Sequence, residues 1–415
     1  MDQVVMEQKT ILIIGTYDTK EDELSFLADA LHEQGARTHL MDVSVLGDTA
    51  VSVNVTKHEI AAAANTTITA IIALEDENLA FQQMALGASK LTANLNEVGT
   101  IDGVIVLGGT MGTDLALDVV NVLPMGVPKY IVSTVAFSPL IPTERIAPDV
   151  QMILWAGGLY GLNSLCKSTL LQAAGAVHGA AKAVGKLDAS KPMIGMTSLG
   201  KTTLKYMVHL LPELEKRGFE VAVFHSTGLG GRAFETLVAQ GRFVCVMDFC
   251  LQEFINGVNG SAVGSGDDRL TNAGINGTPQ LIAPGATDII DFLAASGPPP
   301  HLADREHHAH NRLIDSVLAS PEERADLAKE ISDRLQAATG PVHMFLPLQG
   351  VEEWDRVGNP CHNPDGLKAF NASAKTHIVP NISTDLLDCH INDRLFTDSV
   401  LAKFDDWCAK GIIKL

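Results

Sequence analysis

The stretch 101–136, IDGVIVLGGTMGTDLALDVVNVLPMGVPKYIVSTVA, limits most strongly what this chain can fold into. Its pattern predicts an apolar strand over 104–107, a glycine-rich turn over 108–113, a helix from Asp114 and a second apolar strand over 130–135. Short strands rich in Val and Ile, with no polar alternation and a helix between them, are typical of a parallel sheet covered on both faces. The stretch therefore predicts a doubly wound α/β domain.

The glycine-rich turn of this stretch is a candidate anion site. Glycine leaves backbone amides uncovered, and the first amides of a helix lack partners at the positive end of the helix dipole. That arrangement suits a phosphate group. Glycine after a strand is also ordinary turn chemistry, so the stretch alone leaves phosphate binding and a plain turn equally open. The candidate ligand-binding residues are Gly108, Gly109, Thr110, Gly112 and Thr113.

A second candidate turn follows the first predicted strand, at 10–15. The pattern after it predicts a helix from Glu21 that stops near Gly35, and then a strand over 38–43. Threonine hydroxyls and a lysine at a helix N-terminus suit a phosphate, and an aspartate there suits a metal ion or a ribose hydroxyl. The alternative is that the aspartate or the second threonine only caps the helix. The candidate residues are Gly15, Thr16, Asp18, Thr19 and Lys20.

The order of elements repeats after a polar connector at 186–192. A strand from Pro192, a turn, a helix over 204–217 and another strand follow it, as they follow the start of the chain. We therefore predict two similar doubly wound, Rossmann-like domains with largely parallel sheets. The first, at 1–188, is the predicted nucleotide-binding domain, and the second spans 189–415.

Two stretches of the first half are harder to assign. Residues 58–73 combine a helix start of small residues with a TTITAIIA run that resembles a strand. Residues 152–185 are rich in Ala, Gly and Leu, which predicts a buried helix packed closely on another surface. An internal core helix is favoured there, with an oligomer interface as the alternative.

Charge and cysteine usage limit the compartment and the partners. The 415 residues carry a net charge of −19, which disfavours nucleic acid and anionic membranes as partners. The uncharged run 150–166 has 17 residues and is too short and polar to span a membrane. Six scattered cysteines without a CxxC pair indicate a reducing compartment. We expect a cytoplasmic protein that binds neither nucleic acid nor membranes.

The octapeptide GMTSLGKT at 195–202 matches the P-loop pattern G-x-x-x-x-G-K-[ST]. The strand FVCVMD at 243–248 even resembles the segment that supplies a second magnesium contact. Against a P-loop, the preceding strand is short and the matching turn at 15–20 has no such loop. A strand-to-helix turn with a fortuitous lysine is the favoured interpretation.

The turn HSTGLGGR at 225–232 supports a different function. Arg232 beside glycine-exposed amides suits a carboxylate or phosphate, and His225 is a candidate acid or base. Asp288, in the turn after a later strand, is expected to face the same cleft and completes a set of three candidate catalytic residues. The alternative function is therefore a small-molecule hydrolase or lyase that acts on an anionic substrate between the two domains.

Histidine and cysteine clusters give weaker signals. His307, His308 and His310 lack a further ligand at a recognisable zinc spacing. The pairs Cys361-His362 and Cys389-His390 stand in no recognisable nucleophile motif. We expect neither a resident metal site nor a catalytic cysteine.

Eight segments together resemble one family, an uncharacterised bacterial and plant group that includes the ATP-binding inhibitory region of the tomato mosaic virus resistance protein. The segments are IGTYDTKEDEL (14–24), GVIVLGGTMGT (103–113), LPMGVPKYIVSTVA (123–136), AGGLYGLN (156–163), FHSTGLGGRAFE (224–235), PQLIAPGATDIIDF (279–292), LPLQGVEEWD (346–355) and HINDRLF (390–396).

The resemblance implies two α/β domains, a homodimer and binding of ATP with magnesium. It places the nucleotide on the turns 15–20 and 108–113. The family usually lacks a lysine after the position of Gly200, which further weakens the P-loop interpretation. We therefore predict an ATP-binding or nucleotide-binding protein that holds Mg-ATP phosphates at the glycine-rich turns of its first domain. The sequence leaves open whether ATP is a substrate or only a ligand.

Overall fold

The structure is a computed structural model that describes residues 8–185, 190–379 and 381–414. The chain divides into two compact units, Met1–Leu187 and Asp188–Leu415. Most of the polar connector predicted at 186–192 lies outside the described residues.

The first unit alternates strands with helices. Its strands are β1 (Thr10–Gly15), β2 (Arg37–Asp42), β3 (Gly103–Gly108), β4 (Lys129–Ser133) and β5 (Val150–Leu154). Its helices are α1 (Tyr17–Glu33), α2 (Lys57–Ala63), α3 (Ile68–Ile72), α4 (Glu77–Glu97), α5 (Thr110–Asn121) and α6 (Ser164–Ala183).

The five strands of the first unit form one parallel sheet in the order β2-β1-β3-β4-β5. Side chains of β1 alternate between its two faces. Leu12 and Ile14 pack in a core with residues of α2 to α5, whereas Ile11 and Ile13 pack in a second core with residues of α1 and α6. Burial on both faces explains why β1 and β3 are apolar at almost every position.

Two assignments in this unit differ from the sequence-based expectation. The run TTITAIIA contains helix α3, and Thr67 caps this helix by accepting a hydrogen bond from the Ala70 amide. The stretch 152–185 is not a single helix, since its beginning belongs to strand β5. The helical part, α6, buries Ala173, Ala174 and Val177 in a core shared with α1.

The second unit contains more elements. Its strands are β6 (Met193–Ser198), β7 (Glu220–His225), β8 (Cys245–Asp248), β9 (Gln280–Ile282), β10 (Ile289–Leu293), β11 (His307–Ala309), β12 (Ile314–Leu318), β13 (Val342–Pro347) and β14 (Ile382–Leu387). Its helices are α7 (Tyr206–Lys216), α8 (Leu229–Ala239), α9 (Gln252–Val258), α10 (Asn272–Ile275), α11 (Pro321–Leu335), α12 (Pro364–His377) and α13 (Arg394–Ala409).

Six of these strands form a parallel sheet in the order β7-β6-β8-β9-β13-β14. The first five follow the same second-first-third-fourth-fifth order as the strands of the first unit. In the order of the chain, three strands that form an antiparallel sheet, β10-β12-β11, are inserted between β9 and β13. Strands β9 and β13 remain neighbours in the parallel sheet. The prediction of two similar doubly wound domains with largely parallel sheets is confirmed, whereas the inserted sheet was not predicted.

The six cysteines are free thiols, and five of them are buried. Within the described residues, no helix combines the length and the apolar character needed to cross a membrane.

Candidate functional site

The centre of the first sheet is the point where the chain changes direction. β1 and β3 are neighbours, but the chain leaves β1 towards β2 on one side and leaves β3 towards β4 on the other. The turns at the carboxyl ends of these two strands therefore diverge. Open α/β sheets bind ligands in the crevice that such a divergence creates.

A cavity of about 940 Å³ lies at this point, within the usual range for small-molecule sites. Eight of the ten predicted ligand-binding residues line it: Thr16, Asp18, Thr19, Lys20, Gly108, Gly109, Thr110 and Gly112. Gly15 and Thr113 are not among the described residues that line it. The structure thus brings the two predicted turns together around one cavity.

The turn between β3 and α5 presents unused amides. α5 begins at Thr110, four residues earlier than predicted, and no described side chain caps it at Gly109. The amides of its first turn therefore have no partner within the helix. A side chain on Gly108 would collide with the backbone of Gly112, so the two glycines allow β3 to run directly into α5. Thr113 has a structural role, because its hydroxyl bonds the Gly109 carbonyl and the Ser133 hydroxyl.

The turn between β1 and α1 differs, because the protein itself satisfies its first amides. The Tyr17 amide donates to an Asp42 carboxylate oxygen at 3.3 Å, and the Asp18 amide donates to the Ser44 hydroxyl at 3.0 Å. Asp42 and Ser44 lie at and just after the end of β2, so this neighbouring strand fixes the turn. The β1–α1 turn therefore offers side chains, and not amides, to a ligand.

Lys20 is the cation of the cavity wall. Its Nζ lies 3.0 Å from the Thr19 hydroxyl and 3.3 Å from the Thr16 hydroxyl. The backbone of Lys20 departs from helical geometry (φ −133°, ψ 29°), which interrupts α1 after its first turn. One ammonium group and two hydroxyls thus lie in the same cavity as the uncapped N-terminus of α5, and all four features favour an anion.

Asp18 supplies a carboxylate to the same cavity. Its Oδ2 accepts a hydrogen bond from the Gly47 amide at 3.1 Å, whereas its buried Oδ1 has no partner among the described residues. Magnesium is usually held by one or two carboxylates together with phosphate oxygens. Asp18 fits a magnesium ion that arrives with a phosphorylated ligand.

The rest of the cavity wall combines apolar and acidic side chains that the sequence did not identify. The apolar part includes Val45, Leu46, Ile71, Ile72, Ala80, Phe81, Met111 and Leu159. Glu75, Asp76 and Glu77 contribute the acidic part, and Asp76 also caps α4 through the Leu79 amide. No local pattern marks these residues, because distant segments of the chain supply them.

The turn at 225–232 is engaged by the protein's own carboxylates. The amides of Gly228 and Gly231 donate to one oxygen of the buried Glu253. Arg232 makes a two-pronged ion pair with Asp268, which occupies its guanidinium. His225 is exposed and bonds the Thr227 hydroxyl. Glu253 occupies here the position that an anionic ligand would need.

Asp288 belongs to a different cluster. β7, which ends at His225, is separated by β6 and β8 from β9, the strand that precedes Asp288. Three strand spacings amount to roughly 14 Å. Asp288 is fully buried beside Arg324, Glu352 and Asp355. The structure therefore does not bring Asp288 together with His225 and Arg232.

The P-loop-like segment is divided between a strand and a turn. Gly195–Ser198 belong to β6, and α7 begins only at Tyr206, five residues after Lys201. A P-loop instead forms a continuous cradle that leads directly into its helix.

The histidine patch has contacts within the second unit, since the rings of His308 and His310 lie 5.2 and 5.1 Å from that of Trp354.

Two solved structures resemble this chain distantly. The Streptomyces sp. SF2575 glycosyltransferase SsfS6, complexed with thymidine diphosphate, is 16% identical over 68% of this chain and 83% of its own, with a TM-score of 0.21. The Methanocaldococcus jannaschii UDP-GlcNAc 2-epimerase, in complex with UDP-GlcNAc and UDP, is 9% identical over 66% and 83%, with a TM-score of 0.23. Similarity this low carries no functional argument.

Protein relatives match far more closely. A UPF0261 protein of Brucella melitensis is 52% identical over 97% of this chain and 96% of its own length, and one of Clostridium tetani is 33% identical over 95% and 98%. The tomato ToMV resistance protein Tm-1(GCR237) is 28% identical over 95% of this chain, which spans 55% of the tomato protein.

Both units match one family description. Residues 9–186 match the N-terminal domain of the Uncharacterised protein family (UPF0261), and residues 191–408 match its C-terminal domain. The chain belongs to this family.

Proposed function

We propose that the first unit binds a nucleotide, with ATP as the ligand, and holds its phosphates at the N-terminus of α5. The observation that carries the proposal is the meeting of three anion-binding features in one cavity. These are the uncapped first turn of α5, the ammonium group of Lys20 and the paired hydroxyls of Thr16 and Thr19. The choice of ATP among nucleotides rests on the family resemblance described above.

Each part of the cavity then has a role in the proposal. The amides of Thr110–Gly112 donate to phosphate oxygens, and Lys20 neutralises part of their charge. Asp18 would hold a magnesium ion that arrives with the phosphates, and the ion would supply charge neutralisation. The apolar wall around Phe81 accepts the base, while the acidic run that begins at Glu75 accepts hydrogen bonds from the ribose hydroxyls.

Calorimetric titration with ATP, with and without magnesium, tests the proposal. We expect saturable binding that magnesium strengthens, since Asp18 and the phosphate oxygens would both attract the ion. Assay of released phosphate in the same sample distinguishes a ligand from a substrate. Absence of both heat and a thermal shift up to millimolar ATP would contradict nucleotide binding.

Replacement of Lys20 tests the role of its charge. We expect Lys20→Gln to weaken ATP binding about 10-fold, because one charge-assisted contact of about 1.4 kcal/mol is lost. The Lys20→Arg variant retains the charge and should stay within a few-fold of the unchanged protein. Titration at two salt concentrations checks the assignment, since loss of a charged contact also reduces the salt dependence. Equal ATP affinity of Lys20→Gln and Lys20→Arg would show that the charge of Lys20 does not contribute to nucleotide binding.

We also propose that the protein is a homodimer and that it lies in the cytoplasm. The dimer rests on the family resemblance, and the reducing compartment agrees with six free cysteines. Sedimentation equilibrium should give twice the chain mass of 44.2 kDa. A mass equal to that of a single chain at micromolar concentration would exclude a stable dimer.

A further inference from the structure

A second cavity, of about 490 Å³, lies in the second unit at the carboxyl end of β13. The loop that follows β13 and the first turn of α12 form its wall. The polar lining comes mainly from Gln349, Asp355, Arg356 and His362, and the apolar lining includes Val357 and Leu367. As in the first unit, this is the edge at which parallel sheets bind ligands.

Behind Asp355 lies a cluster of buried charged groups drawn from separate parts of the chain. Asp288 precedes the inserted sheet, Arg324 lies on α11, and Glu352 and Asp355 lie on the loop after β13. Asp288, Arg324 and Glu352 have no solvent exposure. The three guanidinium nitrogens of Arg324 have no hydrogen-bond partner among the described residues.

Asp288 and Glu352 are buried carboxyl groups that act on each other. Burial raises the pKa of both, and their four carboxyl oxygens have no hydrogen-bond partner among the described residues. Asp355 is fixed separately, because the His390 ring donates to its Oδ1 at 2.9 Å and the Val351 amide donates to its Oδ2 at 2.6 Å.

A cluster of buried charged groups without partners lowers the stability of the folded state. Buried polar atoms without partners destabilise a protein unless a ligand, water or chemistry uses them. The inserted sheet holds the loop in place, since His308 of β11 and His310, just beyond that strand, pack on Trp354, next to Asp355. Strongly perturbed carboxyls behind a cavity at this sheet edge indicate a binding site.

The charges decide the class of ligand. Arg324 interacts with both Asp288 and Asp355, so its positive charge is offset inside the cluster and is not available to an anionic ligand. Arg356 is engaged by Glu353 and Asp393. His362 bonds the Asp355 carbonyl through Nδ1, which leaves Nε2 as a hydrogen-bond acceptor in that tautomer. Hydroxyl groups both donate and accept, as this mixed lining requires.

We infer that this cavity is a second small-molecule site and that its ligand is an uncharged polyhydroxylated molecule. The hydroxyls of the ligand contact Asp355, His362 and Gln349. Arg324, Asp288 and Glu352 are enclosed, and they act on the ligand by setting the charge around Asp355. This site is independent of the nucleotide site proposed in the first unit.

Saturation-transfer NMR with myo-inositol and D-glucose as probes tests the inference. Val357 lines the cavity and is 87% exposed, so Val357→Trp should block the cavity mouth without disturbing the core. We expect a signal from at least one probe with the unchanged protein. Val357→Trp should weaken the apparent affinity at least 10-fold, and Leu395→Trp, at an exposed position of α13 that does not line the cavity, should retain it within two-fold. Inorganic phosphate should not displace the bound probe.

Three results would overturn the inference. The first is no saturation transfer to either probe with the unchanged protein. The second is an equal signal from the Val357→Trp variant, which would place the probe elsewhere. Displacement of the probe by inorganic phosphate is the third, because it would make the site an anion site.

Discussion

Replacing Gly109 with aspartate is expected to weaken ATP binding about 100-fold while leaving the first unit folded. Gly109 precedes α5 and lines the cavity. An aspartate there places a carboxylate beside the proposed phosphates. It also accepts hydrogen bonds from the first amides of α5, which the phosphates would otherwise occupy. Repulsion between like charges about 4 Å apart, partly screened near a protein surface, reaches a few kcal/mol, and about 2.7 kcal/mol corresponds to 100-fold.

The geometry of Gly109 makes this substitution informative. Among the described residues, a Cβ added at this position would approach only the Thr134 hydroxyl, at 3.8 Å, which is an ordinary van der Waals contact. The φ angle of −72° is open to every residue type. Aspartate is also a preferred N-cap residue, so the stability of α5 should be equal or slightly higher.

Gly109→Asn is the matched control, because asparagine has the same shape and caps a helix equally well but carries no charge. We expect it to bind ATP at least 10-fold more tightly than the aspartate variant. Circular dichroism and thermal unfolding check that both variants fold. Unchanged ATP affinity in the folded Gly109→Asp variant would show that the phosphates do not lie at α5.

Replacing Glu352 with glutamine is expected to make the second unit less sensitive to alkaline pH. Burial and the neighbouring Asp288 raise the pKa of Glu352 from 4.5 to about 10. The folded chain therefore holds a proton that the unfolded chain releases between those values. Its contribution to stability is fully present below pH 4.5 and falls by about 1.4 kcal/mol per pH unit as pH rises towards 10.

Glutamine is a neutral mimic of the protonated glutamate and has nearly the same shape. Between about pH 7.5 and 9 the unchanged protein should lose about 2 kcal/mol of unfolding free energy relative to Glu352→Gln. Urea unfolding in a Trp155→Phe background measures this difference, because the two other tryptophans, Trp354 and Trp407, lie in the second unit.

Glu353→Gln is the control, since Glu353 is paired with Lys205 and Arg356 and its pKa is lowered. It is ionised in both states across this pH range, so its replacement should leave the slope unchanged. If the unfolding free energies of the unchanged protein and of Glu352→Gln change with pH in parallel, Glu352 holds no proton in the folded chain.

The sequence predicts the parallel sheets well because buried strands carry their own signal. Runs such as TILIIG and GVIVLG are apolar at almost every position, and glycine marks where each strand turns into a helix. The same rule places the ends of β1 and β3 at one sheet edge, which is why eight of the ten predicted ligand-binding residues share a cavity.

The sequence does not predict features that depend on contacts between distant segments. Strand β11 has three residues and, within the described residues, pairs only with β12. Three residues are too few to show the alternation of apolar and polar side chains that identifies a strand. The turn at 225–232 has the composition of an anion site, but Glu253 lies 22 residues beyond Gly231, and no local pattern shows that it accepts the amides of that turn. Likewise, the partners of Asp288 follow it by 36 residues or more.

Hydrogen–deuterium exchange of the protein with and without saturating ATP and magnesium directly tests the proposal that the phosphates lie at the N-terminus of α5. We predict slower exchange at the amides of residues 110–112, with smaller changes around Lys20, because the phosphates accept hydrogen bonds from the first turn of α5. Protection confined to the second unit, or none at α5 while ATP is bound, would contradict it.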